Sequence, residues 1–156
     1  FILGDFDVKL RGCSAEICAP RRKIGFSDVT SQGMPFYGGN IRYRAAVDVA
    51  EISDVTVRVS RYRGALVKVY MDGLPLGIIA YPPYTLTAEN VCPGGHVFEF
   101  ELFGTRINTF GALHNCGDNH SSEPRTWETE GYGFSYEYVL KPVGIISAPV
   151  IEIRSR

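Results

Sequence analysis

The sequence predicts an all-β protein with the architecture of a β-sandwich or jelly roll. Short segments of alternating apolar and polar residues recur along its 156 residues, and turns that contain glycine or proline separate them. Asp72-Gly73 lies between two apolar runs, which is the strongest short-range signal for a β-hairpin. No segment keeps the 3.6-residue apolar period of an amphipathic helix, so we expect a fold built from strands.

Composition and charge place the chain among globular proteins. Hydrophobic residues make up 45% and charged residues 21%, which excludes a disordered chain, and no apolar run approaches the ~20 residues of a membrane-spanning helix. The net charge of -1 predicts neither nucleic acid nor a membrane as a partner. We expect one domain over residues 1–156, and the start at Phe1 without a methionine predicts a fragment of a larger multidomain protein.

The first predicted element is a half-buried strand. Phe6, Val8 and Leu10 alternate with charged residues up to a break at Gly12. The next segment, CSAEIC over residues 13–18, is predicted to be the tip of a short hairpin. The four cysteines are too sparse for a disulfide scaffold, so we expect isolated thiols buried as small apolar side chains. These cysteines are Cys13, Cys18, Cys92 and Cys116.

A basic run and a turn-rich segment come before the longer strands. The run over residues 21–23 is typical of a solvated loop. Ser27 or Asp28 is placed to cap one helical turn, and nothing predicts a longer helix there. Ile41 to Val49 then shows the clearest period-two alternation in the chain, and Val55 to Val59 repeats it. Because successive side chains of a strand point to opposite faces, each apolar set is expected to face the core.

The central hairpin is predicted around the Asp72-Gly73 turn. Three apolar residues of one parity precede it and are expected in the core. They are Val67, Val69 and Met71. Pro75 has no N–H for a strand ladder, so its strand must contain an unpaired position or lie at a sheet edge. Two prolines between Tyr81 and Tyr84 predict an extended crossing after that strand.

The second half of the chain alternates strands with longer connections. Residues 85–95 are predicted to form a polar connection, and Phe98, Phe100 and Leu102 to share one face of the following strand. Residues 105–127 form the longest stretch without a strand pattern, which is typical of a loop that is either functional or mobile. The alternation resumes over residues 134–140, and Val150 to Ile153 predicts a last strand.

Several motifs occur in a characteristic order along the chain. They are Tyr43-Arg44, the strand Val67 to Met71, Asp72-Gly73, Gly77, Pro83-Tyr84, Pro93-Gly94-Gly95, the strand Phe98 to Leu102 and the Tyr-x-Leu-x-Pro-x-Gly pattern of Tyr138 to Gly144. With residues 32–39 and 103–111, this order resembles the galactose-binding-like jelly roll that large bacterial glycoside hydrolases carry as an accessory domain. In the family-2 enzymes this is the sugar-binding domain. The resemblance covers residues 38–104 well and residues 127–153 more weakly.

The resemblance implies a galactose-binding domain-like fold and a non-catalytic role. Such a module packs against the catalytic domain of its parent protein and sometimes contacts an oligo- or polysaccharide. The family's catalytic acid and nucleophile belong to a separate barrel, so the resemblance implies no catalytic residue in this chain. Two alternatives stay open, namely an autonomous carbohydrate-binding module and a small stand-alone hydrolase on the same scaffold.

Candidate ligand-binding residues follow from the chemistry of sugar recognition. A sugar ring needs an aromatic surface for its apolar face and fixed polar groups for its hydroxyls. The aromatic candidates are Trp127, Tyr81 and Tyr84, and the polar candidates are Arg106, Asn108 and His114. In the alternative interpretation, Trp127 anchors the long loop onto the sandwich and Arg106 pairs with a nearby acid.

The long loop also holds acids and metal-capable side chains. A glycosidase needs two carboxylates, one on each side of the scissile bond. The loop acids are Asp118, Glu123, Glu128 and Glu130. Their spacing is that of ordinary solvated acids, so we predict no catalytic residue. Residues 114–120 contain two histidines and a cysteine but lack the paired cysteine spacing of zinc sites, so we predict no metal and no cofactor.

Overall fold

The computed structural model describes residues 2–21, 23–116 and 124–155. Within these ranges the chain forms eleven strands, one short helix and two 3-10 turns. The strands are β1 (Asp7–Arg11), β2 (Ser14–Cys18), β3 (Ile41–Val49), β4 (Ser53–Arg58), β5 (Tyr62–Arg63), β6 (Leu66–Met71), β7 (Leu74–Ile79), β8 (Thr85–Val91), β9 (Gly94–Phe103), β10 (Gly144–Ile145) and β11 (Val150–Ser155). The helix is α1 (Ile107–Phe110), and the 3-10 turns are Val29–Gln32 and Pro124–Trp127. In these described parts, no helix has the length and apolar character to cross a membrane.

Residue contacts divide the chain into two compact units. Unit 1 comprises Phe1–Gly38 and Arg106–Pro142, and unit 2 comprises Gly39–Thr105 and Val143–Arg156. Each unit is therefore assembled from two separate stretches of sequence. The expectation of one domain over residues 1–156 stays a prediction.

Unit 2 is the β-sandwich that the sequence predicts. Its larger sheet has the antiparallel order β3-β9-β6-β7, and its second sheet has the order β11-β4-β8. The short strands β5 and β10 form an additional antiparallel pair. The predicted all-β class is confirmed, and the jelly-roll connectivity stays a prediction.

The core of unit 2 consists largely of residues that strand alternation assigned to it, but Met71, which was expected there, is only half-buried. The central strand β9 supplies three wholly buried side chains, Phe98, Phe100 and Leu102. Four wholly buried valines on a neighbouring strand and on β4 add to it, namely Val55, Val57, Val67 and Val69. Each buried aromatic ring removes a large apolar area from water, so β9 contributes strongly to the stability of the sandwich.

The Asp72-Gly73 hairpin joins β6 to β7, as predicted. Met71 pairs with Leu74, and both turn residues have positive φ, 52° for Asp72 and 80° for Gly73. These angles belong to the type I′ turn that two-residue hairpins favour. Pro75 lies on β7, which is an edge strand whose pairing with β6 contains an irregularity. The prediction made from its missing N–H is thereby confirmed.

Two connections of unit 2 differ from the sequence-based expectation. The predicted polar connection contains strand β8, in which Ala88 and Val91 are buried while the other side chains are mostly polar. The predicted extended crossing is a tight turn, because the Tyr84 N–H donates to the Tyr81 carbonyl at 3.0 Å and Tyr84 takes a φ of 60°. A proline restricts its own φ and the residue before it, but the residue after it stays free to turn.

Unit 1 begins with a β1-β2 hairpin whose tip differs from the prediction. Asp7 pairs with Cys18 and Arg11 with Ser14, so the tip is Gly12-Cys13 and the CSAEIC segment supplies the second strand. The predicted half-buried alternation of β1 holds for Val8 and Leu10 against the exposed Lys9 and Arg11, and Asp7 is the exception. Asp7 is the buried residue, with 9% of its surface exposed, whereas the apolar residues of β1 are only half-buried.

The remaining elements of unit 1 give one confirmed and one incorrect prediction. Asp28 caps the first 3-10 turn, since its Oδ1 accepts from the Thr30 N–H at 3.0 Å. No strand forms over the predicted residues 134–140, where an isolated bridge joins Phe134 to Asn115. The aromatic side chains of that segment pack against one another instead of alternating across a sheet.

All four cysteines are free thiols, but they are not buried as expected. Cys13, Cys92 and Cys116 are exposed, and Cys18 is partly exposed. Cys13 lies in the hairpin tip, Cys92 in the turn between β8 and β9, and Cys116 in the long loop. Turns and loops run over protein surfaces, which explains why these small apolar side chains are accessible.

Candidate functional site

The six predicted ligand-binding residues divide between the two units. Tyr81 and Tyr84 belong to unit 2. The other four belong to unit 1 and are Arg106, Asn108, His114 and Trp127. The two groups are therefore considered as separate candidate sites.

The tyrosines of unit 2 form a small cluster beside the turn at residues 81–84. The rings of Tyr62 and Tyr84 meet edge to face with centroids 6.2 Å apart, and Tyr84 is half-buried. The Tyr62 hydroxyl donates to the Ile79 carbonyl at 3.4 Å. Burial, followed by the nearby Tyr84 and Tyr81 hydroxyls, raises the pKa of Tyr62. Tyr81 itself is 82% exposed, which leaves one accessible ring at this position.

Asn108 and Arg106 occupy the α1 turn with different surroundings. Asn108 is 1% exposed, its Nδ2 donates to the Lys141 carbonyl at 2.7 Å, and the Lys141 N–H donates to its Oδ1 at 2.9 Å. Both ends of the amide are thus engaged by the backbone of one residue, so Asn108 ties α1 to the segment before β10. Arg106 precedes α1 and is exposed.

His114 lies inside a cluster of five rings that the sequence did not predict. The rings follow one another with centroid distances of 5.2, 4.9, 5.6 and 5.1 Å. In order they are Phe36, Tyr138, His114, Phe134 and Tyr136. The His114 Nδ1 lies 2.9 Å from the Ser135 carbonyl and must carry the hydrogen, because a carbonyl only accepts. Tyr136 ends the cluster with 79% of its surface exposed.

Exposed aromatic side chains concentrate in unit 1. Trp127 is 59% exposed at the end of its 3-10 turn, so it does not lie buried as a loop anchor. Of the six exposed aromatic residues in the described ranges, five belong to unit 1 and one, Tyr81, belongs to unit 2. We call these five the aromatic surface of unit 1. They are Tyr37, Phe110, Trp127, Tyr132 and Tyr136.

Unit 1 also contains a cavity of about 480 Å³ that sequence reasoning missed. It is bounded by the β1-β2 hairpin and the first 3-10 turn, and the buried Asp7 lines it. The Arg21 Nε lies 3.3 Å from the Asp7 Oδ2, so a buried carboxylate and a partly exposed guanidinium meet at the cavity wall. Alternation in β1 predicted a solvent-facing Asp7, and no sequence signal places residues 30–33 opposite it.

The outer face of the larger sheet in unit 2 carries several paired charges. The Arg44 Nε lies 2.6 Å from the Glu99 Oε1, and Arg42 lies 3.5 Å from both Glu99 and Glu101. The Tyr70 hydroxyl donates to Glu101 at 2.9 Å and is the main cause of the lowered pKa of Glu101. Both carboxylates are engaged by arginines on a sheet face, so they do not form a free catalytic pair.

The second sheet presents a similar polar face. The Thr56 and Thr87 hydroxyls are 2.9 Å apart, and Arg58 lies 3.3 Å from Glu152. Cross-strand pairs of this kind suit a solvated surface, and the exposed Val150 lies beside Arg58 on the same face. Unit 2 therefore buries most of its apolar side chains between two mainly polar outer faces, on which Ile78, Val97 and Val150 are exposed.

The loop acids and the metal-capable loop are only partly described. Glu128 and Glu130 are exposed, whereas Asp118 and Glu123 lie outside the described residues, as do positions 117–120 of the metal-capable loop. Among the described residues, no group of three or more His, Cys, Asp or Glu side chains is arranged to hold a metal ion.

Comparison with known proteins finds similar folds but no assigned family. No family model matches the sequence, and no curated protein is similar to it. This chain is similar to part of a rhamnosidase from Novosphingobium sp. PP1Y, with 18% identity and a TM-score of 0.56 over 96% of this chain. A GH2 beta-galacturonidase from Eisenbergiella tayi gives 16% identity and a TM-score of 0.47 over 94% of this chain.

The matches cover small parts of the larger proteins. This chain spans 14% of the rhamnosidase and 22% of the beta-galacturonidase. At 18% identity, the likeness to the rhamnosidase shows a shared fold.

Proposed function

We propose that this chain is a non-catalytic accessory β-sandwich domain of a glycoside hydrolase, which packs against the catalytic domain of its parent protein and contacts carbohydrate. The observation that carries the proposal is that nearly the whole chain matches a small part of a rhamnosidase, 96% against 14%. In that enzyme the greater part of the chain lies outside the match. The ordered motifs that resemble the family-2 sugar-binding domain support the same function from the sequence.

The aromatic surface of unit 1 supports the packing role. Five exposed rings belong to this unit, and a catalytic domain packed against them would remove their apolar area from water. Aromatic residues are also enriched at protein interfaces. The catalytic domain of the parent protein is the occupant that this proposal assigns to the aromatic surface.

The charged outer faces of unit 2 also support docking through unit 1. Their arginines and glutamates already satisfy one another, so covering them would add a desolvation cost without a matching gain. We therefore assign docking to unit 1 and leave the outer faces of unit 2 in solvent.

The packing proposal is tested in the full-length gene product that contains this chain. Replacing Tyr132 and Tyr136 together by serine should lower the temperature at which glycosidase activity is lost, since both rings are exposed in unit 1. Tyr81→Ser is the matched control, because Tyr81 is equally accessible but belongs to unit 2. Equal thermal inactivation of both variants and the unaltered protein would overturn the packing role.

The non-catalytic assignment is tested with the isolated chain. We expect no hydrolysis of aryl glycosides by the purified chain, because the described residues hold no free pair of carboxylates in a cavity. Turnover of any such glycoside would refute the accessory role and support the stand-alone hydrolase. A full-length product without glycosidase activity would equally refute the proposed parent enzyme.

A further inference from the structure

We propose that the cavity lined by Asp7 in unit 1 binds a single saccharide unit. Its volume of about 480 Å³ lies within the range of small-molecule sites, roughly 300–1,000 Å³. The cavity itself indicates a neutral polyhydroxylated ligand. The inference rests on the proposed function only where it takes that ligand to be a sugar. The cavity residues themselves differ from all six residues that the sequence singled out.

Asp7 and Arg21 supply the recognition chemistry. The Asp7 side chain is 12% exposed, and its Oδ2 lies 3.3 Å from the Arg21 Nε. An ionised carboxylate only accepts hydrogen bonds, and a guanidinium only donates them. A sugar hydroxyl both donates and accepts, so two neighbouring hydroxyls fit this pair with one bond to each partner.

The position of the Asp7 carboxylate depends on the absence of a side chain at Gly33. A Cβ at Gly33 would collide with the Asp7 carboxyl group, and Gly33 has a φ of 87° that other residues rarely adopt. The Gly33 carbonyl also accepts from the Val8 N–H at 2.8 Å. These features hold β1 against the end of the 3-10 turn and fix the acid at the cavity wall.

The other lining residues complete a surface suited to a pyranose ring. Thr30 and Ser31 add hydroxyl groups, and the Ser31 Oγ donates to the Asp28 carbonyl at 2.8 Å, so it meets a ligand as an acceptor. Val8 and Leu10 are half-buried and also belong to the residues that line the cavity.

The charges favour a neutral sugar over an anion. Lys9 and Arg21 bring positive charge to the lining, but the most buried ionisable group is the Asp7 carboxylate. A bound anion would face that carboxylate in a poorly solvated position, where like charges repel strongly. A neutral polyol satisfies the carboxylate and the guanidinium without adding charge.

Calorimetric titration of this chain with methyl glycosides of neutral hexoses and 6-deoxyhexoses tests the inference. Galacturonate and inorganic phosphate serve as the anionic probes. We expect a neutral glycoside to bind, and Asp7→Asn to weaken that binding by about tenfold or more, since it removes a charged acceptor. Thr30→Val, which keeps the side-chain shape, should weaken binding by a smaller factor.

Matched controls separate a binding defect from a folding defect. Asp5→Asn changes an exposed acid two positions from Asp7 and should leave binding unchanged. Circular dichroism shows whether each variant is folded. If Asp7→Asn does not fold, Thr30→Val tests the site. Absence of binding to every neutral glycoside, or binding that neither cavity variant alters, would overturn the proposal. Phosphate or galacturonate binding that strengthens in Asp7→Asn would identify an anion site and overturn it as well.

These results are independent of the full-length enzyme. The titration reports the cavity of this chain, whereas the accessory role is judged by the thermal inactivation of the full-length gene product. A chain that binds no sugar can still dock on a catalytic domain, so each proposal can fail while the other holds.

Discussion

His96 lies between two hydrogen-bond acceptors at the start of β9. Its Nδ1 is 2.7 Å from the Asp72 Oδ2, and its Nε2 is 2.8 Å from the Cys92 carbonyl. A neutral imidazole has one N–H, so only the protonated ring donates to both groups. Hydrogen bonding to Asp72 is the main cause of the raised pKa of His96, and the Cys92 carbonyl adds to it. The same bond is the main cause of the lowered pKa of Asp72.

The first prediction is a pH dependence of stability from this contact. Because the folded pKa of His96 is raised, its contribution is complete below the ordinary value of about 6.5 and is lost as the pH rises through the folded pKa. Because the pKa of Asp72 is lowered, its contribution is present above about 3.8 and is lost as the pH falls through the folded value. We expect the contact to stabilise the hairpin most between about pH 4 and about pH 6.5.

Urea denaturation across this range measures the effect. We expect a loss of roughly 0.5–1 kcal/mol from about pH 6 to about pH 9, a small value because Asp72 is partly exposed and screened. His96→Gln should remove this slope. Asp72→Asn is the control for the turn, since Asn tolerates the positive φ but carries no charge. A slope that persists in both variants would assign the pH dependence to other groups.

The second prediction concerns Asn108, which is buried and bonded at both ends of its amide to the Lys141 backbone. In Asn108→Asp, one carboxylate oxygen would face the Lys141 carbonyl, so two acceptors would meet without a hydrogen between them. We expect the free energy of unfolding to fall by about 2 kcal/mol or more. Arg106→Ala, on the exposed side of the same turn, should change it by less than about 0.5 kcal/mol. Equal effects of the two substitutions would contradict the anchoring role.

At the scale of elements, the pairing of β6 with β9 depends on a close approach at Gly64. A Cβ there would lie 2.6 Å from the Leu102 Cδ1 and 2.7 Å from the Phe103 carbonyl oxygen. The neighbouring Ala65 N–H donates to that same carbonyl at 2.8 Å. A side chain at position 64 would therefore push the start of β6 away from the central strand.

The third prediction follows from this geometry. Gly64→Ala should lower the free energy of unfolding by roughly 1–3 kcal/mol, the usual range for overpacking. Gly133→Ala is the control, because a Cβ at Gly133 meets no atom within 4 Å. Urea denaturation of both variants is the measurement, and unchanged stability of Gly64→Ala would show that β6 and β9 adjust freely.

At the scale of the whole molecule, no cross-link holds the fold together, because all four cysteines are free. The apolar core of unit 2 and the hydrogen-bonded sheets supply the stability instead.

The fourth prediction is that a reducing agent leaves the melting temperature of the chain unchanged. Cys13, Cys92 and Cys116 should react with a thiol reagent in the folded state, and Cys18 should react more slowly since it is less exposed. Mass spectrometry of the labelled chain measures the order. A melting temperature that falls on reduction would reveal a disulfide and contradict the free thiols.

Local pattern was sufficient for the central hairpin and for strands β3, β4, β6 and β9 of unit 2, but not for β8. The Asp72-Gly73 turn, the edge position of Pro75 and the buried sets of β6 and β9 all follow from properties of adjacent residues: allowed φ, a missing N–H and the alternation of side chains. Such properties depend only on residues close together in the chain, so they can be predicted from the sequence. The all-β class followed from them.

The sites depended on contacts between distant segments. Asp7 is buried because residues 30–33 pack over it, and Asn108 is buried because Lys141 meets both ends of its amide. The aromatic residues of 134–140 alternate like a strand, yet they stack on His114 and Phe36. By itself, the sequence determined the fold class, the central hairpin and the core strands, because alternation and turn chemistry are local. Only the tertiary structure decided which polar and aromatic side chains meet, because burial and pairing depend on what lies opposite each residue in space.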